Sequence, residues 1–307
     1  MKFPSLLFLA CLVPLIAAQG AEISHGPILG RPGNDTMSVW ARTSEPSTFI
    51  VRYGTNPENL DDEATLAEPT TLDNDCTGIV TLDGLQAGTR YYYEVSTPDT
   101  LYLPIQGNFR TWKKSEEVTD ETLNPEGLFN FKFEFACGNN PKPEGGAGYA
   151  MRVYDILNER HREEVDFAIL NGDWLYEQKR EYRPDEWAHQ VKIAPDALPF
   201  TVSTMPNIVG CWENYKIFLD RAENLSEWHR HVPTFYTADD HELVNDIYGS
   251  GETGFKNRRA VVRDVATAAW FDYLAWANPT EYPREAHIGR AQLEAGSDVL
   301  TDPNSDF

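Results

Sequence analysis

The sequence has few cysteines and few cations for its 307 residues. It contains only 4 Cys, and its 26 Lys and Arg are outnumbered by 48 Asp and Glu, which leaves a formal charge of −22. This shortage of positive charge argues against a protein that binds nucleic acid without sequence specificity, because such binding needs a basic face that displaces counterions. An anionic substrate would need a local positive centre instead, and a bound metal ion would supply one.

Long apolar runs are absent except at the amino terminus. Residues 1–21 have Lys2 as their single charge, an apolar stretch from Leu6 to Ala18, and small side chains near the end, which is the pattern of a secretory signal peptide. The stretch is shorter than the roughly 20 residues of a transmembrane helix, and no later segment is apolar enough to cross a bilayer. We therefore expect a secreted or periplasmic protein.

Removal of that segment would leave three cysteines, Cys76, Cys137 and Cys211. An oxidising compartment permits disulfides, but an odd number leaves at least one thiol unpaired. A small buried hydrophobe is the ordinary role of such a residue. A bridge between Cys76 and Cys211 would have to join two predicted domains, so both thiols stay unassigned.

Residues 22–112 consist of short alternating segments separated by turns. Residues 36–43 alternate apolar and polar side chains, and Tyr91 and Tyr93 fall on one face of a later strand. This spacing predicts an all-β domain of two sheets, a fibronectin type III or immunoglobulin-like sandwich. The run Leu85-Gln-Ala-Gly-Thr-Arg-Tyr-Tyr-Tyr93 resembles the penultimate strand of fibronectin type III domains, which implies that Tyr91 is a packing residue.

Strands and helices alternate in the rest of the chain. A charged, aperiodic stretch with proline and glycine, residues 113–128, is predicted to be a linker. The alternation that follows, over residues 129–307, favours an α/β domain. Strands are predicted at 129–135, 165–170 and 234–237. Helices are predicted at 149–162, 185–193, 214–231 and 258–276.

Each of the three predicted strands runs into a loop that carries potential metal ligands. Cys137 follows the first strand, Asp173 and Tyr176 follow the second, and the run Asp239-Asp240-His241-Glu242 follows the third. Ligands of open α/β sheets bind beyond the carboxyl ends of the strands, so these loops are expected to converge. Taken alone, each loop has an ordinary explanation as a turn, a helix-capping run or a core thiol. Together they indicate a metal site.

These residue types suit more than one cation. A carboxylate bridges two cations, a thiolate and a phenolate suit ferric iron, and carboxylate or amide oxygens suit calcium, magnesium or manganese. Two metals a few ångströms apart clamp a phosphate and lower the pKa of a bound water.

Three segments resemble the PhoD-like alkaline phosphatase/phosphodiesterases, a family of metallo-dependent phosphatases. Residues 133–137 (Phe-Glu-Phe-Ala-Cys) are similar to the family's Phe-x-Phe-x-Ser-Cys, and residues 166–177 to its segment ending in Gly-Asp-Tyr-Ile-Tyr-Glu. Residues 233–246 are similar to the segment containing Asp-Asp-His-Glu-x-x-Asn-Asn. Ala136 and Asp246 depart mildly from these patterns. The resemblance covers nearly all of the chain after the predicted signal peptide.

The resemblance implies an α/β metallophosphatase domain with two metals. Cys137, Asp173 and Tyr176 would hold a ferric ion, and Asp173 would bridge it to a second metal, calcium. Asp240 and Asn245 would belong to the second-metal side.

The resemblance also implies the remaining roles at the site. His241 would stabilise charge on the phosphate or donate a proton to the leaving group, with Asp173 as the other catalytic residue. Asp239 and Glu242 would orient their neighbours. The implied activity is hydrolysis of small phosphate mono- or diesters by an exported enzyme. No nucleic-acid surface, membrane span or obligate protein partner is expected.

One family motif has no counterpart. Nothing like its Gly-Asp-x-His occurs between Asn278 and Phe307, and His287 has no predicted strand before it. We therefore expect an incomplete metal domain, either truncated at its carboxyl end or completed by ligands from elsewhere. A non-catalytic secreted binding module is the alternative to a phosphoesterase. A purple-acid-type phosphatase would also carry an amino-terminal sandwich, but it predicts Asp-x-His where this chain has Ala-Cys-Gly at 136–138.

Overall fold

The computed structural model describes most of the chain after the predicted signal peptide. The described residues are 20–98, 102–142, 148–179, 181–243, 258–279, 292–297 and 299–301. Almost all of the predicted signal peptide therefore lies outside them, as do Asn245 and His287. Within these ranges no helix has the length and apolar character needed to cross a membrane.

Two antiparallel sheets form the amino-terminal region of the described chain. Their strands are β1 (Ile23–Gly30), β2 (Met37–Thr43), β3 (Ile50–Gly54), β4 (Asp62–Thr65), β5 (Thr77–Leu82), β6 (Arg90–Ser96) and β7 (Ile105–Arg110). One sheet has the order β1-β2-β5 and the other β4-β3-β6-β7. Inward-facing residues of both sheets share one core. The predicted pair of sheets is present, whereas the specific likeness to fibronectin type III domains stays a prediction.

Tyr91 is structural, as its sequence context predicts. Burial alternates strictly along β6, and this alternation places Tyr91, Tyr93 and Val95 in the core. The Tyr91 hydroxyl accepts a hydrogen bond from the backbone N–H of Gln86 at 2.9 Å. It thereby fixes the turn that leads into the strand.

A three-stranded parallel sheet forms the centre of the second region. Its strands are β8 (Phe133–Ala136), β9 (Phe167–Asn171) and β10 (Thr234–Thr237), in the order β10-β9-β8. Because Ala136 pairs with Leu170 and Thr237 with Asn171, the carboxyl ends of all three strands meet at one edge. A short hairpin, β11 (Gln292–Leu293) and β12 (Leu300–Thr301), follows later in the chain.

Helices alternate with these strands along the chain, in agreement with the predicted α/β alternation. They are α1 (Ser115–Val118), α2 (Arg152–Arg160), α3 (Pro184–Gln190), α4 (Phe200–Thr204), α5 (Ile208–Arg221), α6 (Glu223–His229) and α7 (Arg258–Tyr273). The 3₁₀ turns are Leu72–Asn74 and Ala275–Ala277.

Three predicted elements differ from the structure. The first strand occupies only Phe133–Ala136 of the predicted 129–135, and the predicted linker contains α1. The helix predicted at 214–231 is two helices, because the backbone of Ala222 leaves the helical region (φ −88°, ψ 57°). The break frees the carbonyl of Leu219, which instead accepts a hydrogen bond from the Ser226 hydroxyl at 2.8 Å.

A buried carboxylate joins the two regions. Asp75, just before β5, is fully buried and contacts both Nε and Nη2 of Arg42 at 3.1 Å. From the second region, Trp187 Nε1 donates to it at 3.0 Å, the Tyr273 hydroxyl at 2.6 Å, and Lys216 Nζ lies 3.3 Å away. Three helices of the second region thus converge on one side chain of the first.

The two faces of the parallel sheet differ in exposure. Ala168, Leu170 and Tyr236 are buried on the face that packs against the helices. The other face is aromatic and partly exposed: Phe133 stacks on Phe167 at 5.4 Å, yet Phe133 is 54% exposed.

Candidate metal centre

The loop after β9 bends sharply because two consecutive residues have positive φ. Gly172 has φ +77° and Asp173 has φ +54°. A Cβ at position 172 would lie 2.4 Å from Cβ of Asp239, so the loops after β9 and β10 are in direct contact there. The bend turns the Asp173 side chain towards the loop that follows β10. A positive φ costs conformational free energy in a residue other than glycine.

Three ligand-type side chains gather at this edge of the sheet. Side-chain atoms of Asp173, Asp240 and His241 lie within 4.8 Å of one another, and all three residues are partly buried. Asp173 comes from the loop after β9, and the other two come from the loop after β10. The predicted convergence of these two loops is therefore present.

Asp173 has one paired oxygen and one unpaired oxygen. Its Oδ2 accepts a hydrogen bond from the Tyr176 hydroxyl at 2.9 Å, whereas its buried Oδ1 finds no partner among the described residues. Burial raises the pKa of Asp173 above its usual value, and burial together with the neighbouring Asp173 carboxylate raises that of Tyr176. A buried carboxylate oxygen without a partner costs free energy unless a cation contacts it. Two carboxylates and an imidazole therefore fit a metal ion.

His241 is held by a residue to which sequence reasoning assigned no role. Its Nδ1 lies 2.6 Å from Oε2 of Glu177, and its ring packs on Tyr176 with a centroid distance of 4.0 Å. Burial alone would lower the pKa of His241, but the hydrogen bond with Glu177 and nearby carboxylates raise it above its usual value. The sequence contains one signal for a role of Glu177, since it is the last residue of the family-like segment 166–177 that also contains Asp173 and Tyr176.

Glu242 connects the two ligand-bearing loops through their backbones. It is fully buried, and its carboxylate accepts hydrogen bonds from the backbone N–H of Trp174 and, at 2.9 Å, from that of Asp239. Burial raises its pKa despite these bonds. These two bonds suit the role expected for Glu242, which is to orient its neighbours. Asp239 itself is exposed and contributes its backbone to the contact.

Cys137 lies on the adjoining loop, but its side chain is not one of the three that gather. Gly138 and Asn139 donate backbone hydrogen bonds to the carbonyls of Gly172 and Asp173, at 3.3 and 2.8 Å. The loop after β8 is therefore tied to the loop after β9, while the Cys137 thiol itself is exposed.

The other predicted site and thiol residues are placed as follows. Asn245 lies outside the described residues. Cys76 and Cys211 are buried thiols that form no disulfide, so they are not bridged to each other. Burial raises the pKa of the Cys76 thiol to about 12, which makes it inert.

Two family models match the chain. A family model described as PhoD-like phosphatase matches residues 131–296, and one described as PhoD-like phosphatase, N-terminal domain, matches residues 13–113. None of the curated proteins compared with the chain matches it.

The chain also resembles solved structures. A structure of PhoD shares 18% sequence identity with a TM-score of 0.58 over 88% of this chain and 49% of that one. The chain thus spans about half the length of that protein. The purple acid phosphatase PPD1 from yellow lupin (Lupinus luteus) seeds shares 13% identity over 89% of this chain and 43% of its own, with a TM-score of 0.48.

Proposed function

The chain belongs to the PhoD-like phosphatase family, and on this basis we propose that it is a metal-dependent phosphoesterase that hydrolyses small phosphate mono- or diesters. One observation carries the proposal. Asp173, Asp240 and His241 gather within 4.8 Å at the carboxyl edge of the parallel sheet, and a buried oxygen of Asp173 has no partner among the described residues.

Bound cations would supply positive charge for the phosphate group and a water of lowered pKa. We propose that Asp173 and Asp240 hold them. Cys137 and Tyr176 would complete the ferric side of the site, and Asn245 the calcium side. The identities of these metals and the roles of Cys137, Tyr176 and Asn245 come from the family resemblance. The hydrogen bond between Gly138 and Gly172 supports the role of Cys137, because it joins the loop of Cys137 to the loop of Asp173.

The carboxylates at this edge would repel a phosphate ester by themselves. Asp173 and Asp240 belong to the gathered group, and Glu177 contacts its histidine. Affinity for an anionic substrate should therefore depend on bound cations. The formal charge of −22 strengthens this dependence, because the chain as a whole also repels anions.

His241 would act on the substrate through its Nε2. Because Nδ1 faces Glu177, Nε2 is the ring nitrogen that would contact a cation or a phosphate oxygen. A raised pKa favours the protonated ring, and a protonated ring would stabilise the charge that develops on the phosphate or pass a proton to the leaving oxygen.

The test is hydrolysis of p-nitrophenyl phosphate and of bis(p-nitrophenyl) phosphate. Substitution of Asp173→Asn should lower kcat/KM by at least about 100-fold, since a direct ligand matters no less than the groups that orient it. Asp155→Asn, an exposed carboxylate on α2, serves as the matched control and should leave turnover unchanged. Activity that survives both Asp173→Asn and exhaustive chelation would contradict a metal-dependent mechanism.

Metal binding without turnover would support the alternative, a non-catalytic module. The absence of a Gly-Asp-x-His counterpart between Asn278 and Phe307 gives that alternative its weight. Calorimetric titration of the chelated chain with Ca²⁺ and Fe³⁺, run beside the activity assay, separates the two functions.

We further propose that the chain is exported and that residues 1–21 are removed. Amino-terminal sequencing of the protein recovered outside the cytoplasm should begin near Glu22. A recovered protein that still starts at Met1 would contradict this proposal.

A further inference from the structure

The carboxylate of Glu177 lies 2.6 Å from Nδ1 of His241, and the roles described above do not account for this contact. Both side chains are 17% exposed, so the pair is largely shielded from water. We propose that Glu177 is a positioning residue of the site, which acts on the metal and the substrate through His241. The inference rests on the proposed function for its consequence in catalysis, but its geometry stands independently of turnover.

An ionised carboxylate can only accept hydrogen bonds. Its contact with the ring therefore requires a proton on Nδ1 of His241, whatever the charge of the ring. Nε2 then carries a lone pair in the neutral ring and a proton in the charged ring. Glu177 thus decides which nitrogen of His241 faces a cation or a phosphate oxygen. Carboxylates that bind the second nitrogen of a metal-binding histidine have this effect in general.

Tyr176 restrains the same ring from another direction. Its ring lies on the imidazole with a centroid distance of 4.0 Å and an interplanar angle of 36°, and its hydroxyl is fixed on Asp173 at 2.9 Å. The imidazole is consequently held at one nitrogen by Glu177 and at one face by Tyr176. Asp173, Tyr176 and Glu177 all come from the loop after β9. This loop therefore supplies the carboxylate of Asp173 and also positions His241, which belongs to the loop after β10.

The connection between the loops after β9 and β10 does not depend on Glu177. Glu242 already joins the loops after β9 and β10, because its carboxylate accepts backbone hydrogen bonds from Trp174 and Asp239. Glu177 instead reaches a side chain. Loss of Glu177 should therefore free the ring of His241 while the loops stay joined.

The experiment compares Glu177→Gln and Glu177→Ala with the native chain. Glutamine keeps the size of the side chain but can either accept from Nδ1 or donate to it, so it no longer dictates the tautomer. Alanine removes the contact. Glu164→Gln is the matched control, because Glu164 is an exposed carboxylate that lies before the amino end of β9, away from the site.

The first measurement is a long-range ¹H–¹⁵N correlation spectrum of the metal-free protein in alkaline buffer, with the ring signals of His241 assigned from a His241→Ala sample. We expect a single Nδ1–H form in the native chain and in Glu164→Gln, and a mixture of both tautomers in the two Glu177 variants. The second is calorimetric titration with Mn²⁺. Glu177→Ala should bind it about 10- to 100-fold more weakly than the native chain, with an unchanged Tm.

The results separate this inference from the proposed function. Native-like tautomers and Mn²⁺ affinity in both Glu177 variants would overturn the positioning role, even if the native chain hydrolyses phosphate esters. A tautomer mixture with weaker Mn²⁺ binding would support it, even if the native chain has no turnover. A lowered Tm in Glu177→Ala, together with native ring signals in the folded Glu177→Gln, would show that Glu177 acts on the fold and would also overturn the proposal.

Discussion

At the scale of single residues, Gly172 decides how closely the two ligand-bearing loops approach each other. Its φ of +77° disfavours any residue with a side chain, and an added Cβ would lie 2.4 Å from Cβ and 2.9 Å from the backbone nitrogen of Asp239. Two separate effects, backbone strain and a steric clash, therefore act at one position. A second glycine with a similar backbone and open surroundings allows the effects to be measured apart.

Gly172→Ala should destabilise the protein more than Gly84→Ala. Gly84 has φ +71° and no atom within 4 Å of an added Cβ, so its substitution measures strain alone, about 1–2 kcal/mol. The clash at position 172 should add about 1–3 kcal/mol and should also weaken Mn²⁺ binding, because Asp239 precedes Asp240. Urea unfolding and calorimetric titration of both variants provide the comparison. Equal loss of stability in the two would mean that Asp239 moves away freely.

Asp272 makes stability depend on pH with an unusual sign. Its side chain accepts a hydrogen bond from Trp212 Nε1 at 2.8 Å, and burial raises its pKa to about 8. The folded protein therefore keeps this proton up to about pH 8, whereas the unfolded chain releases it near the ordinary value for Asp. The folded state binds more protons across that window, so the free energy of unfolding should fall as the pH rises from about 4 to about 8.

Asp272→Asn should flatten this part of the stability profile. The amide oxygen can still accept from Trp212, but no proton is released at any pH in the range. The free energy of unfolding of the variant should exceed that of the native chain above pH 8, by an amount of the order of a few kcal/mol. Urea titrations at several pH values measure it. A variant profile parallel to the native one would assign the slope to other groups, such as Glu134, whose pKa burial raises to about 7.

At the scale of elements, the parallel sheet has one face that supports the core and one that does not. Leu170 in β9 is 1% exposed beneath the helices, whereas Phe135 in β8 is 60% exposed on the other face. Side-chain alternation along parallel strands places successive residues on opposite faces, so neighbours in the sequence contribute very differently to stability.

Leu170→Ala should cost about 2–5 kcal/mol in the free energy of unfolding, since it leaves a cavity in a packed core. Phe135→Thr, on the exposed face, should change it by about 0.5 kcal/mol or less. Denaturant unfolding followed by tryptophan fluorescence measures both. A cost for Phe135→Thr as large as that for Leu170→Ala would mean that the aromatic face is covered in solution.

At the scale of the whole molecule, the buried Asp75 makes the two regions depend on each other. Two cations, an indole and a phenol surround its carboxylate, and they keep its pKa below the usual range although burial acts in the opposite direction. The main core also contains Ile28 and Trp40 of the first region among helices of the second. Such an interface favours a single unfolding transition for the described molecule.

Asp75→Asn should lower the free energy of unfolding by about 3–5 kcal/mol, because it leaves Arg42 and Lys216 buried with one counter-charge fewer. Glu63→Gln is the control, since its pair with Arg52 at 3.2 Å is about half exposed and should contribute less than about 1 kcal/mol. Two separate transitions in calorimetry of the native chain would contradict the coupling of the two regions.

The sequence by itself determined the order of the three strands of the parallel sheet along the chain and the loops in which the site lies. The apolar run before Asp173 and the strand at 234–237 follow from side-chain periodicity, which reports which face of a strand is buried. Because parallel strands end at one edge, the convergence of Asp173 with Asp240 and His241 was predictable without any distance. The family was likewise recognisable, since three segments at strand ends resemble its motifs, and a family model matches residues 131–296.

Only the tertiary structure decided which side chains meet within and between those loops. Glu177 and His241 are 64 positions apart and Asp75 and Tyr273 are 198 apart, and each pair has at least one partner on irregular backbone. The break at Ala222 and the exposure of the Cys137 thiol were likewise decided by the tertiary structure. Periodicity specifies the face of a regular element, but it carries no information about side chains on turns. Their contacts are settled by long-range packing and by the pairing of buried charges.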